Sequence, residues 1–239
     1  MSDDDLTVAA QRVHVGEDPA APPTRFRKGL YWFASLLLVG LAKLLFRIRV
    51  EGRHHLPEYE PFILAPVHRS NLDFGLVVSC VGVGLPRMRY LAKDTLWKGA
   101  WGRLWTALGA IPVHRGTPDR EALSACIAVL RAGESLVMFP EGTRQSGPVV
   151  QELFDGPAYV QARTGAPIVP VGIGGSEAAM PKGAKFVRPR KVVLTIGAPL
   201  VAPEKNDKGR VPRRAVREQT EVLHGVLQDL FDTAQRAAR

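Results

Sequence analysis

The chain has 239 residues, enough for one domain with appendages or two small ones, and with 46% apolar residues it can bury a sizeable core. Its formal net charge of +9 suits an anionic partner. The aromatic residues are not interleaved with the basic ones as a stacking platform requires, so we expect anionic lipid and a phosphorylated substrate as partners and no nucleic acid.

The two cysteines and the histidines predict neither disulfides nor a metal site. Cys80 and Cys126 both lie in apolar stretches, which is typical of core packing in a reduced compartment. No spacing of histidine, cysteine or acidic residues matches a known metal-binding motif, and we interpret His54 and His55 as a solvated pair in a turn.

Residues 1–24 are predicted to be a disordered acidic tail. Their local charge is −4, which leaves +13 on the rest of the chain. They show no sustained apolar period, so they cannot bury enough surface to offset the entropy lost on ordering.

Residues 25–47 are predicted to be a membrane-associated helical segment. The uncharged run from Gly29 to Ala42 has 14 residues, whereas a full span needs ~20 apolar residues unless a lysine such as Lys43 snorkels. Cations at both ends are typical of a helix that lies among anionic headgroups. A helix that spans the bilayer and a buried core helix stay open as alternatives. A secretory signal fits poorly, because no small-residue cleavage pattern follows the run.

Short apolar strands and helices alternate from residue 48 to residue 200. Strands are predicted at 47–52, 62–66, 87–92, 111–113, 135–139, 168–173 and 191–196, and helices at 73–81, 101–108, 118–132 and 157–164. This alternation predicts an α/β domain, a mostly parallel sheet flanked by helices. Residues 201–239 are predicted to be a charged linker followed by an amphipathic helix over 213–236.

His68 and Asp73 follow the predicted strand that ends at Pro66. Residues five apart on a regular helix point away from each other, so contact between the two requires a turn from strand into helix. An imidazole held by a carboxylate is a general base with a fixed tautomer. Taken alone, the pair is more often a structural histidine beside a helix-capping aspartate.

Two further strand exits carry polar residues, Arg115 after the strand at 111–113 and residues 141–144 after the strand at 135–139. The sites of parallel sheets gather at the carboxyl ends of their strands, so these residues and His68 are predicted to share one cleft. Ser70 raises the alternative of a Ser-His-Asp hydrolase, but no Gly-x-Ser-x-Gly elbow occurs. The glycine-rich segment 172–176 lacks a phosphate-binding fingerprint, and we interpret it as a structural turn.

Four blocks in this order resemble the glycerophospholipid acyltransferase family, whose best-known members are lysophosphatidic acid acyltransferases. The resemblance covers roughly residues 48–200, and the blocks are His68–Asp73 (H-x4-D with Ser70 between), Ile111–Arg115, Phe139–Arg144 and Val169–Val171. Val67 stands where many members carry an asparagine, which leaves open how the His68 loop is supported.

The resemblance implies an O-acyltransferase that moves a fatty acyl group from acyl-CoA or acyl carrier protein directly to the free hydroxyl of 1-acylglycerol-3-phosphate, giving phosphatidic acid in phospholipid biosynthesis. The alternatives are the same chemistry on glycerol-3-phosphate or another lysophospholipid, and, in another class, a non-catalytic membrane-binding protein on this fold. No cofactor is expected beside the thioester co-substrate. The resemblance also implies a peripheral or monotopic enzyme at the cytoplasmic face of the cell membrane.

Within that family His68 is the expected base and Asp73 the group that orients it and stabilises the imidazolium. Arginine binds phosphate through two parallel hydrogen bonds, so Arg144 and then Arg115 are the expected ligands of the acceptor phosphate, with Lys93 third.

The rest of the third block has less defined roles. Glu141 is expected either to hold the acceptor glycerol or to brace the loop. Gly142 would let the backbone approach the substrate, and Thr143 could donate a hydrogen bond to it.

Overall fold

A computed structural model describes residues 25–77, 88–97, 102, 105–106, 109–113 and 120–239. Within these ranges the strands form a seven-stranded sheet of order β1-β7-β6-β2-β5-β3-β4. The strands are β1 (Arg49–Glu51), β2 (Ile63–Pro66), β3 (Met88–Lys93), β4 (Ala110–Val113), β5 (Ser135–Val137), β6 (Ile168–Gly174) and β7 (Val193–Ile196).

The sheet is mostly parallel, which confirms the predicted α/β class. Five of its neighbouring pairs are parallel, and β6 and β7 pair antiparallel. Strands β2, β3, β4, β5 and β6 therefore share one direction, and their carboxyl ends meet at one edge of the sheet. The first predicted strand, β1, lies at an edge of the sheet.

The helices in the described part of the chain follow the predicted alternation. They are α1 (Arg25–Phe46), α2 (Leu72–Leu76), α3 (Arg120–Arg131), α4 (Gly156–Thr164), α5 (Ser176–Ala179) and α6 (Arg213–Ala238), with 3-10 turns at Arg53–His55 and Asp94–Leu96. The four-residue helix α5 was not predicted. Of the predicted helix at 101–108 only residues 102, 105 and 106 are described, and they are helical; positions 78–81 of the predicted 73–81 helix lie outside the described residues, as do residues 1–24 and Cys80.

The core lies around the central strands. All residues of β2 and β6 are buried, as expected for parallel strands covered on both faces. Helices α3, α4 and α6 pack in sequence against one another and against the sheet. Cys126 is buried in this core, in agreement with its predicted packing role.

Helix α6 approaches β6 closely through glycines. A Cβ on Gly172 would lie 2.3 Å from the carbonyl of Leu230, and one on Gly174 would lie 2.1 Å from the Ala234 oxygen. The glycine-rich segment thus serves packing. Only Gly175, at φ 82, makes the turn that the sequence predicted, because the two glycines before it belong to the strand.

Helix α1 leaves much of its apolar surface in water. Phe33, Leu36, Leu37 and Leu44 are exposed, Leu44 by 79%. The helix is tied to the domain at its end, where the Phe46 carbonyl accepts a hydrogen bond from the Val192 N–H at 2.9 Å, and it packs against α2. It is therefore not a buried core helix. Among the described residues, no helix has both the length and the apolar character that crossing a bilayer requires.

Candidate active site

The ring of His68 is held by Asp73 at the end of β2. His68 Nδ1 and Asp73 Oδ2 are 3.0 Å apart, with Asp73 in the first turn of α2. The Asp73 side chain is fully buried, whereas 13% of the His68 side chain is exposed, and its ring stacks on Phe139 with centroids 4.2 Å apart. Since the carboxylate accepts from Nδ1, Nε2 presents its lone pair. No residue in the described ranges hydrogen-bonds to Nε2, so it can accept a proton from a substrate.

Asp73 also shapes the loop between strand and helix. Its Oδ2 accepts hydrogen bonds from the backbone N–H groups of Arg69 and Ser70, the latter at 2.6 Å. The same oxygen thus contacts the His68 ring and holds the loop backbone, whereas Asn71, the N-cap residue of α2, forms no capping side-chain hydrogen bond within the described part of the chain. These hydrogen bonds fold the chain into the turn that a contact between His68 and Asp73, five positions apart, requires.

Glu141 supports this loop through hydrogen bonds to its backbone and to Arg69. Its carboxylate is buried and accepts from the His68 N–H at 2.9 Å, from Arg69 Nη1 at 2.8 Å and from the Gln151 N–H at 3.1 Å. With both oxygens engaged inside the protein, Glu141 is placed as a structural brace, one of the two roles that the sequence left open.

Arg69 is the residue that the sequence reasoning missed. Its guanidinium is fully buried, forms the ion pair with Glu141, donates to the carbonyls of His68 at 3.0 Å and Val149 at 3.1 Å, and lies 4.7 Å from the centroid of the Phe231 ring. It thereby joins the His68 loop, the loop after β5 and helix α6. A buried arginine beside the motif histidine has no signal in the sequence, because its partner is 72 positions away.

The loop therefore has support that does not depend on an asparagine at position 67. Val67 is buried, and its N–H donates to the Val171 carbonyl at 3.1 Å, which extends the sheet. The Gln145 N–H donates to the His68 carbonyl at 2.9 Å. Together with Glu141, these bonds hold the backbone on both sides of His68.

The backbone that follows the third block contacts the His68 loop through Gln145. Arg144 precedes Gln145 directly, is partly exposed, and its guanidinium forms no hydrogen bond or ion pair with any residue that the structure describes. Thr143 is exposed, and its Oγ1 accepts from Gln145 Nε2 at 3.1 Å. Gly142 is required for a local reason, because its φ is +67 and a Cβ there would lie 2.7 Å from the ring of Phe154. The role of Arg144 in binding the acceptor phosphate stays a prediction.

Lys93 and Arg115 are the two other predicted phosphate ligands. Lys93 is the last residue of β3, at the same edge of the sheet as His68. Arg115 lies outside the described residues.

Ser70 does not take part in a Ser-His-Asp arrangement. Its side chain is buried, and its hydroxyl donates to the Met180 carbonyl at 2.8 Å while accepting from the Leu72 N–H at 3.2 Å. The hydrolase alternative is therefore wrong in its geometry. Nor do the described residues hold any group of three or more histidines, cysteines or acids placed to bind a metal ion.

A cavity of about 730 Å³ lies elsewhere, between α3, α4 and the segment that leads into α6. Leu123, Tyr159, Arg163 and Val216 contribute to its walls, and none of the residues that line it comes from the four motif blocks. We therefore place the chemistry at the His68 edge of the sheet and not in this cavity.

Comparison with known proteins shows the family and the fold of the chain. The family model named Acyltransferase matches residues 47–174, more than half of the chain, and this range contains His68, Asp73, Glu141 and Arg144. The fold is similar to the crystal structure of the 1-acyl-sn-glycerophosphate acyltransferase from Thermotoga maritima, with a TM-score of 0.71 and 24% identity over 98% of this chain and 88% of that one.

Curated relatives extend the similarity. The chain is 29% identical to the 1-acyl-sn-glycerol-3-phosphate acyltransferase of Bacillus subtilis (strain 168) over 205 residues, which cover 84% of this chain and 96% of the relative. It is 30% identical to the human alpha enzyme of that name over 129 residues, 52% of this chain and 44% of the human one. The motifs, the geometry and the family match agree, and the chain belongs to the acyltransferase family as an O-acyltransferase.

Proposed function

We propose that the enzyme transfers a fatty acyl group from acyl-CoA or acyl carrier protein to the free hydroxyl of 1-acylglycerol-3-phosphate, forming phosphatidic acid in phospholipid biosynthesis. One observation carries the proposal. The partly exposed His68 ring is held by a buried carboxylate at 3.0 Å, beside a loop whose Arg144 guanidinium has no partner among the described residues. The Bacillus subtilis relative, whose length is almost entirely covered, is named for this acceptor.

The reaction follows from these positions. Nε2 of His68 takes the proton of the acceptor hydroxyl as its oxygen attacks the thioester carbonyl, while Asp73 stabilises the imidazolium that forms. The tetrahedral intermediate collapses, the carbon–sulfur bond breaks, and the departing thiolate takes the proton back from His68. Ester and free thiol are the products, and no acyl-enzyme is needed. The thioester is already activated, so the step requires no cofactor.

The acceptor is tested with a panel of substrates against one acyl-CoA, namely glycerol-3-phosphate, 1-acylglycerol-3-phosphate and a lysophospholipid with a larger headgroup. We expect 1-acylglycerol-3-phosphate to have the highest kcat/KM. A higher value for glycerol-3-phosphate would replace the proposed acceptor and leave the chemistry unchanged. Repeating the best reaction with acyl carrier protein identifies the donor.

Arg144→Ala is expected to weaken binding of phosphorylated acceptors. Charge-assisted hydrogen bonds to phosphate contribute about 1.5–3 kcal/mol, so KM for 1-acylglycerol-3-phosphate should rise about tenfold to a hundredfold. The value for a monoacylglycerol without phosphate should stay unchanged, and this difference is the measurement. Arg214→Ala is the matched control, because Arg214 is 89% exposed on α6. Equal losses toward both acceptors would contradict a role in phosphate binding.

We propose further that the enzyme works at the cytoplasmic face of the cell membrane as a peripheral or monotopic protein, with α1 lying on the anionic bilayer surface. Support comes from the exposed apolar side chains of α1, such as Leu36 and Leu44, which a lipid interface would cover. The acceptor has an acyl chain and therefore resides in the membrane. A helix lying in the interface would bring the enzyme to it without crossing the bilayer.

A further inference from the structure

The segment between α5 and β7 has an unusual composition. Residues 181–191, which we name the basic loop, contain five cations and no acidic residue. They are Lys182, Lys185, Arg188, Arg190 and Lys191. Phe186 and Val187 lie between these cations and are exposed by 82% and 40%. Exposure of the Phe186 side chain to water is unfavourable in free energy. The loop therefore presents a surface with both apolar and basic character.

The basic loop is attached next to the catalytic residues. The carbonyl of Met180, directly before it, accepts the hydroxyl of Ser70 at 2.8 Å, and Ser70 lies between His68 and Asp73. Within the loop, Lys182 Nζ is 3.5 Å from the Arg144 carbonyl. The start of the loop is thus fixed to both loops of the active site.

The other end of the basic loop is attached to the end of α1. It leads into Val192, whose N–H donates to the Phe46 carbonyl at 2.9 Å. A backbone hydrogen bond from the Arg188 N–H to the Ala179 carbonyl, at 2.8 Å, closes the loop on itself. The loop therefore lies between the active site and the helix whose apolar side chains are exposed.

We propose that the basic loop is a second lipid-binding surface, beside α1, which seats the active-site edge of the sheet on an anionic bilayer. Its cations bind anionic headgroups, and Phe186 and Val187 enter the interface between them. This rests on the proposed function, in which the acceptor is a membrane lipid. The surface would place the opening of the cleft at the level of the headgroups, where the phosphate of the acceptor is found.

The charge pattern favours a membrane over an acidic protein. An acidic protein would be recognised by cations alone, whereas this loop displays its largest apolar side chain at the centre of the cations. The linker at 204–210 provides a comparison in the same chain. It is exposed and also carries cations, but Glu204 and Asp207 alternate with them.

The test is flotation of the full chain with vesicles of phosphatidylcholine, with or without about one third phosphatidylglycerol. The triple variant Lys185→Glu/Arg188→Glu/Arg190→Glu should lower the partition coefficient on anionic vesicles by at least about tenfold, because each cation near such a surface contributes about a factor of five. Phe186→Ser should lower the partition coefficient about tenfold on both kinds of vesicle, since it removes an apolar side chain that the bilayer interface would bury. Binding of both variants like the wild type would overturn the proposal.

The matched control is Lys205→Glu/Lys208→Glu/Arg210→Glu, which makes the same charge change in the exposed linker. If the position of the cations, and not the net charge of the protein, determines binding, the partition coefficient of this control on anionic vesicles should stay within about twofold of the wild-type value. An equal loss in this control would also overturn the proposal, because net charge would then explain both.

Activity separates this inference from the proposed function. With a short-chain acceptor that dissolves in water, the basic-loop variants should keep wild-type turnover, and on vesicles they should lose it together with binding. If binding is lost but the soluble acceptor is still acylated, the surface and the chemistry are both supported. If vesicle binding is unchanged while only reactions with acyl carrier protein slow down, the loop is a carrier-protein site and the lipid proposal is wrong.

Discussion

Replacing His68 with alanine should lower kcat for acyl transfer about a thousandfold while the protein stays folded. General-base catalysis contributes about 10²–10⁴-fold. The ring is partly exposed, and among the described residues it makes one hydrogen bond, to Asp73, and one stack, on Phe139, so its removal should cost little stability. The measurement is release of the CoA thiol over time, with a thermal melt to establish folding.

The companion variants establish that the histidine acts as half of a pair. Asp73→Asn keeps an oxygen for the loop N–H groups but no longer stabilises an imidazolium, so kcat should fall as well. The double variant His68→Ala/Asp73→Asn should be no slower than His68→Ala alone, because residues that act as a unit are not additive. His54→Ala is the control, since His54 is exposed in the 3-10 turn Arg53–His55, outside the motif, and it should leave kcat unchanged.

Turnover by His68→Ala within a few-fold of the wild type would end the mechanism, since the proton would then leave the acceptor by another route. If the wild-type protein consumes no thioester with any acceptor in the panel, that result would instead support a non-catalytic role on this fold.

Breaking the buried pair of Arg69 and Glu141 should have the largest effect on stability. Both side chains are fully buried, and removing one partner of such a pair leaves an unpaired charge that costs about 3–5 kcal/mol. Arg69→Met should therefore lower the melting temperature by about 10 °C. Because Arg69 and Glu141 both bind the backbone of His68, the folded fraction should also lose acyl transfer.

A double-mutant cycle gives the sharper result. Arg69→Met/Glu141→Leu removes both charges, and it should be more stable than either single variant, because no charge is left unpaired. The matched control is the exposed pair Arg214–Glu218, whose atoms are 2.7 Å apart on α6. Arg214→Ala should leave the melting temperature unchanged, since solvent screens an exposed pair.

Two results would contradict this account. If Arg69→Met has the same melting temperature as the wild type, the Arg69–Glu141 pair does not stabilise the fold. If stability falls but the folded fraction keeps its kcat, the network supports the domain without positioning His68.

Local patterns in the chain were sufficient for the α/β class and for most of its elements. Strands and helices are predicted from the spacing of apolar residues within about ten positions. The hydrophobic runs that end at Pro66 and Phe139 place the motif residues directly after strands. The contact of His68 with Asp73 was also predictable, because the two residues are five apart and the turn between them is local. The short helix α5 escaped prediction because four residues carry too little periodicity.

Three features depended on contacts far along the chain. Glu141 meets Arg69 across 72 positions, and the Ser70 hydroxyl is occupied by a carbonyl 110 positions away, which removes it as a nucleophile. Strand β7 reverses its direction, although its sequence reads like the other buried strands. No local pattern contains the identity of such partners.

The amino-acid sequence by itself determined the fold class, the motif histidine with its aspartate, and the family resemblance. All three depend on local signals, namely the spacing of motif residues and the periodicity of apolar residues. The tertiary structure alone decided which charged residues support the active site. It made Glu141 a brace, buried Arg69 beneath the loop, and set the cations of 181–191 beside the catalytic edge. The physical reason is that burial and pairing of a charge depend on the groups that folding brings around it, and those groups come from distant parts of the chain.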